Sequence, residues 1–484
     1  MSRKSRRGCP LLLGSVVALL VLYAGTAGAQ KPNSSPNLVG SGARALGMGG
    51  AFIAVADDAT AASWNPGGLT QLERPEVSAV YNWKWLSEDW ASGIHPELEA
   101  DHDIDLDELN YASIVYPIRR TLAGRNFVIS LNYQRKYDFD RSLDIDARLV
   151  SSLSAPFTAV TTNLLEIDYL QEGALGTLSP AFGFEITNRL SCGMVVNIWD
   201  SSIVPGNEWK EVVRRRSRVQ TVGRLFGRPF SQVGLGRLDT YTEYEDFEGT
   251  NYTFGLHFRA LEGLSLGAVY HTKFAADLKR TETNRIFLYP NSLAVTHRRE
   301  KIRMEWPSAV GLGAAYRFPN DKLTLTLDVT RREWDQFVLI NKNERHLRDV
   351  RKSPVTNLPI KDSHHKPTYS VRLGGEYVFV DPTRPKQKYL PSLRAGLYYD
   401  PEPASGRADR WWGVTCGSGN PDDYYGATLG LGLLVGSRVN IDAAYEYRWG
   451  NNVRRDTWAG TPLERGFSVD VDQHQFYLST VIYF

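Results

Sequence analysis

Cysteine is scarce in this chain, with three in 484 residues. One of them, Cys9, lies in an N-terminal segment that reads as removable, which leaves at most one disulfide, between Cys192 and Cys416. Absent too is any internal apolar run near the ~18 residues that a membrane-crossing helix needs. A chain without such a run can still span a bilayer as a closed barrel, because its backbone hydrogen bonds are satisfied between strands and its apolar face is hidden in alternation. An excess of one charge sign is also missing. Residues 1–29 carry Arg3, Lys4, Arg6 and Arg7 and no acid, so their removal takes the formal net charge from +2 to −2. That balance gives no support to a nucleic-acid partner.

What is present points to export and to strands. The basic n-region, the apolar core Leu11 to Leu22 and the Ala27-Gly28-Ala29 site read as a Sec-type signal peptide over residues 1–29. Cys9 precedes the apolar core, so it is not a lipoprotein cysteine. Aromatics make up 11% of the chain, with 24 Tyr and 42 Gly, and period-2 alternation recurs from Val77 to the last residue. In one case Leu323, Leu325, Leu327 and Val329 alternate with Thr324, Thr326, Asp328 and Thr330. Strands are expected near 77–86, 109–118, 125–137, 174–187, 190–202, 245–259, 263–277, 300–317, 322–338, 367–380, 389–400, 423–435, 438–450 and 472–484. Short turns such as Thr187–Arg189, Pro319–Asp321 and Gly436–Arg438 alternate with long loops over 87–108, 203–244, 339–366 and 451–471. That rhythm predicts an all-β fold, a transmembrane antiparallel β-barrel of about 14 strands in the bacterial outer membrane. A soluble sandwich of ordinary short strands does not explain the strand lengths.

The stretch Gly40 to Leu69, rich in Gly and Ala, differs from everything after it. It is expected to be a plug, giving the organisation 1–29 signal peptide, 30–74 lumenal hatch with short helices, and 75–484 barrel. Arg259, Asp328, Arg372, Glu376, Arg394, Asp442, Glu446 and Arg448 fall in the lumen-facing phase, first of all as paired structural charges. The chain ends on an aromatic, with Phe476, Leu478, Ile482 and Phe484 on the lipid face, which resembles an assembly signal read by the barrel-assembly machinery. Cys192 and Cys416 are expected at opposite membrane faces, about 25 Å apart, and so as free thiols.

Other motifs read blandly. Asp101, Asp103, Asp105 and Asp107 fail as a calcium loop, since Glu108 and Ile114 stand where Gly and Glu are required; the reading is a solvated acidic loop. Arg214, Arg215, Arg216 and Arg218 in the long third loop suggest lipopolysaccharide contact or simple solubility. Ser363, His364 and His365 lack a nucleophile–base spacing, and Gly47-x-Gly49 lacks the context of a dinucleotide site. No enzyme, metal or cofactor is expected.

Several ordered motifs resemble the long-chain fatty-acid transporter family of Gram-negative outer membranes, which includes toluene-type hydrocarbon channels. They are Gly42-Ala43-Arg44-Ala45 with Met48-Gly49-Gly50-Ala51, Trp64-Asn65-Pro66-Gly67-Gly68-Leu69, Trp306 to Gly313, Tyr369 to Tyr377, and Leu393 to Asp400 with Trp411-Trp412. The resemblance implies a 14-stranded barrel blocked by a hatch. It also implies passive uptake of long-chain fatty acids or similar hydrophobic compounds, with a pocket and an opening in the wall. The family's Asn-Pro-Ala hatch motif maps onto Asn65, Pro66 and Gly67, where Gly loosens the backbone. The third strand, Asn126 to Tyr137, lacks the Pro and Gly that mark the family's kink, which puts an exit there in doubt. Phe52 and Trp64 are expected to help line an apolar pocket, and membrane lipids and lipopolysaccharide to surround the barrel. A porin-like channel for polar solutes and a non-transporting structural barrel remain as alternatives.

Overall fold

The computed structural model describes residues 36–37, 39–92, 100–122, 125–153, 158–225, 228–288, 292–344, 351–355, 359–363, 365–381, 387–403, 408–411, 414–417, 420–453 and 467–484. The signal peptide, His364 and Trp412 lie outside them.

Among the described residues, twenty-three strands follow one another along the chain. They are β1 (Glu76–Ser92), β2 (Ala100–Leu122), β3 (Arg125–Asp138), β4 (Arg141–Leu153), β5 (Thr158–Glu185), β6 (Leu190–Ile198), β7 (Glu208–Leu225) and β8 (Arg228–Glu248). Next come β9 (Thr250–Leu261), β10 (Leu264–His271), β11 (Phe274–Leu288), β12 (Ser292–Trp306), β13 (Ala309–Arg317), β14 (Leu323–Arg332), β15 (Val338–Asn341) and β16 (Arg351–Lys352). The last are β17 (Thr368–Val378), β18 (Tyr389–Tyr399), β19 (Ala408–Trp411), β20 (Val414–Gly417), β21 (Tyr425–Val435), β22 (Val439–Val453) and β23 (Phe467–Tyr483).

Fourteen of them close into the expected antiparallel barrel, in the order β1-β2-β3-β5-β6-β9-β10-β13-β14-β17-β18-β21-β22-β23. The last strand returns to the first, from Glu76 opposite Tyr483 to Ser92 opposite Phe467. Alternation builds this wall. In β17 the inward side chains Thr368, Ser370, Arg372 and Glu376 are buried, while Tyr369, Val371, Leu373 and Tyr377 point out. An outward leucine such as Leu431 is 63% exposed, an arrangement that suits hydrocarbon and not water. The short turns are tight. Gly436 and Ser437 both have positive φ, and Arg438 N donates to Val435 O, the geometry of a type I′ hairpin.

The long connections differ from expectation. Residues 203–244 hold not a loop but most of the β7–β8 hairpin, and 138–173 hold β4 and the upper half of β5. With β11 and β12 these strands form a sheet that continues past the barrel rim. β5 belongs to both parts and turns between them at Gly173, whose φ is +133° and where an added Cβ would lie 2.3 Å from Glu208 O. The 300–317 strand is two strands, interrupted at Pro307, which cannot donate to a ladder. β1 and β2 likewise run on through 87–92 and 100–108, so the acidic row Asp103, Asp105 and Asp107 stands on the outer face of a strand, and Tyr81 donates to Asp107 at 2.6 Å. Arg214, Arg216 and Arg218 are outward strand residues as well, whereas Arg215 points inward and is buried.

Candidate functional site

Residues 39–72 lie in the lumen. Their elements are short: helix α1 (Ala43–Gly47), helix α2 (Ala61–Trp64) and a 3-10 turn, Pro66–Gln71, capped by the Asn65 side chain, which accepts from Gly67 N at 3.0 Å. Small side chains let this segment approach the wall closely, and Ala43, Ala45, Ala51, Ala59 and Ala61 are fully buried. The wall answers with glycines. An added Cβ would meet the segment at 2.2 Å from Gly193, 2.1 Å from Gly255, 2.4 Å from Gly267, 2.2 Å from Gly374 and 2.1 Å from Gly396. These glycines stand on five strands, in the inward phase, and alternation alone did not single them out.

Polar contacts fix the segment at that distance. Ile53 N donates to Asp328 at 2.8 Å, Gly49 N to Thr428 Oγ1 at 2.9 Å, and Ser191 Oγ to Gly67 O at 2.7 Å. Tyr111 and Ser113 both donate to Ala59 O, at 3.1 and 2.9 Å. Asn65 is fully buried, and its amide donates to Ile53 O at 2.8 Å and to Leu256 O in the wall at 2.9 Å. Pro66 and Gly67 sit against Gly193. Phe52 is fully buried, edge-on to Trp64 at 5.9 Å and beneath the Arg44 guanidinium. Trp64 does border a cavity, and its indole donates to Ser41 O at 2.7 Å.

An ion-pair chain crosses the same interface. Arg44 makes a two-point contact with Glu376 at 2.9 Å for both bonds and meets Asp57 at 2.5 Å; Arg394 then links Glu376 to Asp442, at 2.7 Å each. Burial raises the Asp58 carboxyl above its ordinary range, while Arg44 acts to lower it. Higher in the lumen, Arg372 pairs with Asp400 at 3.0 Å, Arg448 with Glu402 at 2.7 Å, and Tyr398 donates to Glu446. Of the wall charges in the inward phase, Asp328, Arg372, Glu376, Arg394, Asp442, Glu446 and Arg448 are buried, and Arg259 is exposed at the end of β9. Phe476, Leu478, Ile482 and Phe484 point outward, with Phe476 ring-to-ring with Trp83 at 5.6 Å. Cys192 is a free thiol, and the Cys416 side chain lies outside the described residues.

Above the segment stands a cluster that the sequence reading missed. Tyr137 stacks on Trp306 at 4.7 Å and on Trp199 at 6.1 Å, Trp199 stacks on Phe274 at 5.4 Å, and Phe337 tilts against Trp306 at 4.8 Å. A second stack, Phe139–Trp209–Tyr244, continues it. Tyr137, Trp199, Trp306 and Trp334 are each followed by Asp or Pro, at the places where strand phase stops. That was the available signal. A cavity of about 50 Å³ separates this cluster from the segment, with Trp199 on one side and Trp64 and Gly50 on the other. A larger cavity of about 110 Å³ is polar, bordered by Glu108, Gln134, Arg135, Asp138 and Arg448.

The wall beside that polar cavity changes character. β2 and β3 are laddered without a break from Ile118 opposite Phe127 to Tyr111 opposite Gln134. Beyond Gln134, side chains take over, as Glu108 pairs with Arg135 and Asn110 donates to Arg135 O at 3.4 Å. β3 itself is regular apart from one bulge at Lys136.

Comparisons with known proteins agree with this architecture. Residues 174–481 match the profile of the family described as outer membrane protein transport protein (OMPP1/FadL/TodX). A Pseudomonas aeruginosa FadL homologue superposes with a TM-score of 0.56 at 16% identity, over 93% of this chain and 100% of that one. The Pseudomonas putida toluene transporter TodX gives 0.52 at 14% identity, over 93% and 99%. The CymD monoaromatic hydrocarbon channel gives 0.51 at 14%, over 93% and 98%. At such identities these likenesses establish the fold. No curated protein matches the sequence.

Proposed function

Because the chain belongs to the OMPP1/FadL/TodX family of outer-membrane transport proteins, we propose that it carries long-chain fatty acids or similar hydrophobic compounds passively across the bacterial outer membrane, without catalysis or cofactor. The aromatic cluster around Tyr137, Trp199 and Trp306 supports this reading best, since it offers stacked apolar surface directly over the lumenal segment. Residues 1–29 act as an export signal, 30–74 as the hatch and 75–484 as the barrel. Asn65, Pro66 and Gly67 serve as the hinge, because they join α2 to the 3-10 turn at the point of closest contact with the wall. The terminal aromatic is read by the barrel-assembly machinery. Lipopolysaccharide lies against the outward aromatics and charges near the rim. Its contact through Arg216 is weakened by the pairing of that guanidinium with Glu166 at 3.2 Å.

Uptake in a host deleted for its own transporter tests the reading. The expressed protein restores growth on a long-chain fatty acid or a liquid hydrocarbon, and failure with every hydrophobic compound tried would overturn it. The polar 110 Å³ cavity favours a second reading, a channel for polar solutes. Liposome swelling separates the two, because a closed hatch passes no small sugar.

A further inference from the structure

The sheet that rises past the rim runs in the order β4-β5-β7-β8-β11-β12 and does not close on itself. Among the described residues no strand pairs with the far edge of β4, and β12 is paired on its far side only from Ile302 to Glu305, by β15. Asn343 covers the next stretch, donating to Arg299 O at 3.3 Å and accepting from Lys301 N at 3.2 Å. Residues 292–298 are left as an open edge, a row of backbone groups ready to pair with another strand. The two edges differ in charge on the same, outward face of the sheet. β4 carries Asp144 and Asp146 there with one cation, Arg148, whereas β12 carries His297, Arg299, Lys301 and Arg303 and no acid between them. Among the described residues, Asp144, Asp146, Arg299, Lys301 and Arg303 form no ion pair. Higher up, each edge ends in apolar side chains held out toward water: Val150 on β4 is 60% exposed and Leu293 on β12 is 63% exposed. Val160 opposite Val222 and Phe287 opposite Leu293 extend these apolar patches inward from the edges, surface of the kind that marks an interface.

We propose that this sheet joins copies of the chain to one another: the β4 edge of one copy receives the β12 edge of the next, and the sheet continues across the contact. β4 and β12 are separated by an odd number of antiparallel steps, so they run in opposite senses within one sheet. Copies standing the same way up in one membrane therefore offer β4 and β12 to each other antiparallel. Two β4 edges, or two β12 edges, would meet parallel and with like charges opposed. The charges that keep each edge from its own kind thus favour the other. An antiparallel ladder of residues 145–151 with residues 292–298 sets Asp146 opposite His297 and Val150 opposite Leu293, with Asp144 facing Arg299 just past its end. Such a contact is head-to-tail, so it builds a ring or a row and not a two-fold pair. The inference is independent of what the barrel carries.

Cysteine pairing in intact outer membranes tests it, on the full-length protein with Cys192→Ser and Cys416→Ser. Within one chain Asp146 and His297 stand on opposite edges, at least about 24 Å apart at about 4.8 Å for each strand spacing, beyond the ~7 Å that a disulfide spans. Mild oxidation of a chain bearing both Asp146→Cys and His297→Cys is therefore expected to link most of the folded protein into species of two chains or more. Chains bearing either substitution alone stay unlinked. Adding Arg299→Glu and Lys301→Glu lowers the linked fraction severalfold, and adding Asp144→Arg to that chain restores it. The slower migration of heated barrel on a gel verifies that each variant is folded. A folded double-cysteine variant that stays monomeric overturns the inference. Dimers from Asp146→Cys alone overturn it as well, because they set β4 against β4. So does a linked fraction indifferent to Arg299→Glu and Lys301→Glu, since the edge charges would then not choose the partner.

Discussion

The lower lumen and the chamber above it are both packed, but by opposite means. Below, backbone meets backbone across glycines, and beside the apolar packing of the segment against the wall run directional contacts: Ile53 N to Asp328, Gly49 N to Thr428, Arg44 to Glu376. Above, Tyr137, Trp199, Phe274 and Trp306 meet through ring faces, and the buried Trp306 and Trp209 indole N–H groups have no acceptor among the described residues. Directional contacts hold at one separation and fail together. Ring contacts tolerate a wider range of separations and angles, so an apolar ligand can take the place of one partner and recover most of the burial. The contrast assigns closure to the lower region and accommodation to the upper.

The largest test of that contrast is Gly396→Val. A Cβ there would sit 2.1 Å from Gly49 N, and β18 is held on both sides, opposite Gly374 and Thr428, so the wall has no room to retreat. Overpacking of this kind costs about 3 kcal/mol or more. The expected result is a displaced hatch, read as liposome swelling with small sugars that the unaltered protein does not allow. A variant that stays closed would show that the glycine row does not set the fit.

Asn65→Ala comes next. It removes two donors and one acceptor at a fully buried position, leaving Ile53 O and Gly67 N unpaired and depriving Leu256 O of its side-chain donor. A loss of about 2 kcal/mol follows, confined to the hatch. Exchange of the Gly67 amide should accelerate and hydrophobe uptake should change, with barrel melting unaltered. Unchanged uptake would count against a hinge at this residue.

The barrel was legible because its two environments differ so sharply. Lipid outside and charge inside make every second residue of β14, β17 and β22 informative. Beyond the membrane rim the outside becomes water, and the same alternation inverts. In β2, Ile104 and Leu106 are the inward pair while Asp103, Asp105 and Asp107 face solvent; in β7, Val213, Arg215 and Val219 point inward while Arg214, Arg216 and Arg218 point out. An inverted strand reads as a charge run, and a charge run carries the signature of a loop. The bulge at Lys136 left no trace in composition, since one inserted residue looks like one more alternation. Of the lumenal site, the hatch stretch and the charged ladder could be found in the sequence. The aromatic roof was marked only by the Asp or Pro that follows Tyr137, Trp199, Trp306 and Trp334, because its rings come from segments far apart in the chain that only the closed barrel assembles.

In the upper region, Trp306→Leu sharpens the comparison from the other side. It removes ring contacts to Tyr137 at 4.7 Å, Phe337 at 4.8 Å and Phe274 at 6.0 Å. Those contacts belong to the packing of the roof, whereas the ligand loses the apolar surface of the indole, so hydrophobe binding should weaken by roughly tenfold for about 1.4 kcal/mol of lost burial. Sugar exclusion should not change. Leakage in this variant would mean that the roof also closes the channel, and the division of roles would be wrong.

The smallest effect belongs to pH. Glu211 on β7 lies inside the sheet above the rim and accepts from Gln171 at 3.2 Å. Burial pushes its carboxyl up to about 7, with Arg280 pulling it down and Glu282 pushing it up. The folded value is above the unfolded one of 4.5, so the folded sheet holds the proton more tightly than the unfolded chain does. Its stabilisation is then complete below about pH 4.5 and is lost as pH rises through 7, by at most about 3 kcal/mol. Amides of β7 and β8, corrected for intrinsic rates and referenced to β17, should exchange faster at pH 8 than at pH 5.5. Glu211→Gln, which keeps the acceptor without the charge, should flatten that dependence. A slope that survives the substitution would place the titrating group elsewhere and leave the sheet above the rim as insensitive to pH as the ring stacks beside it.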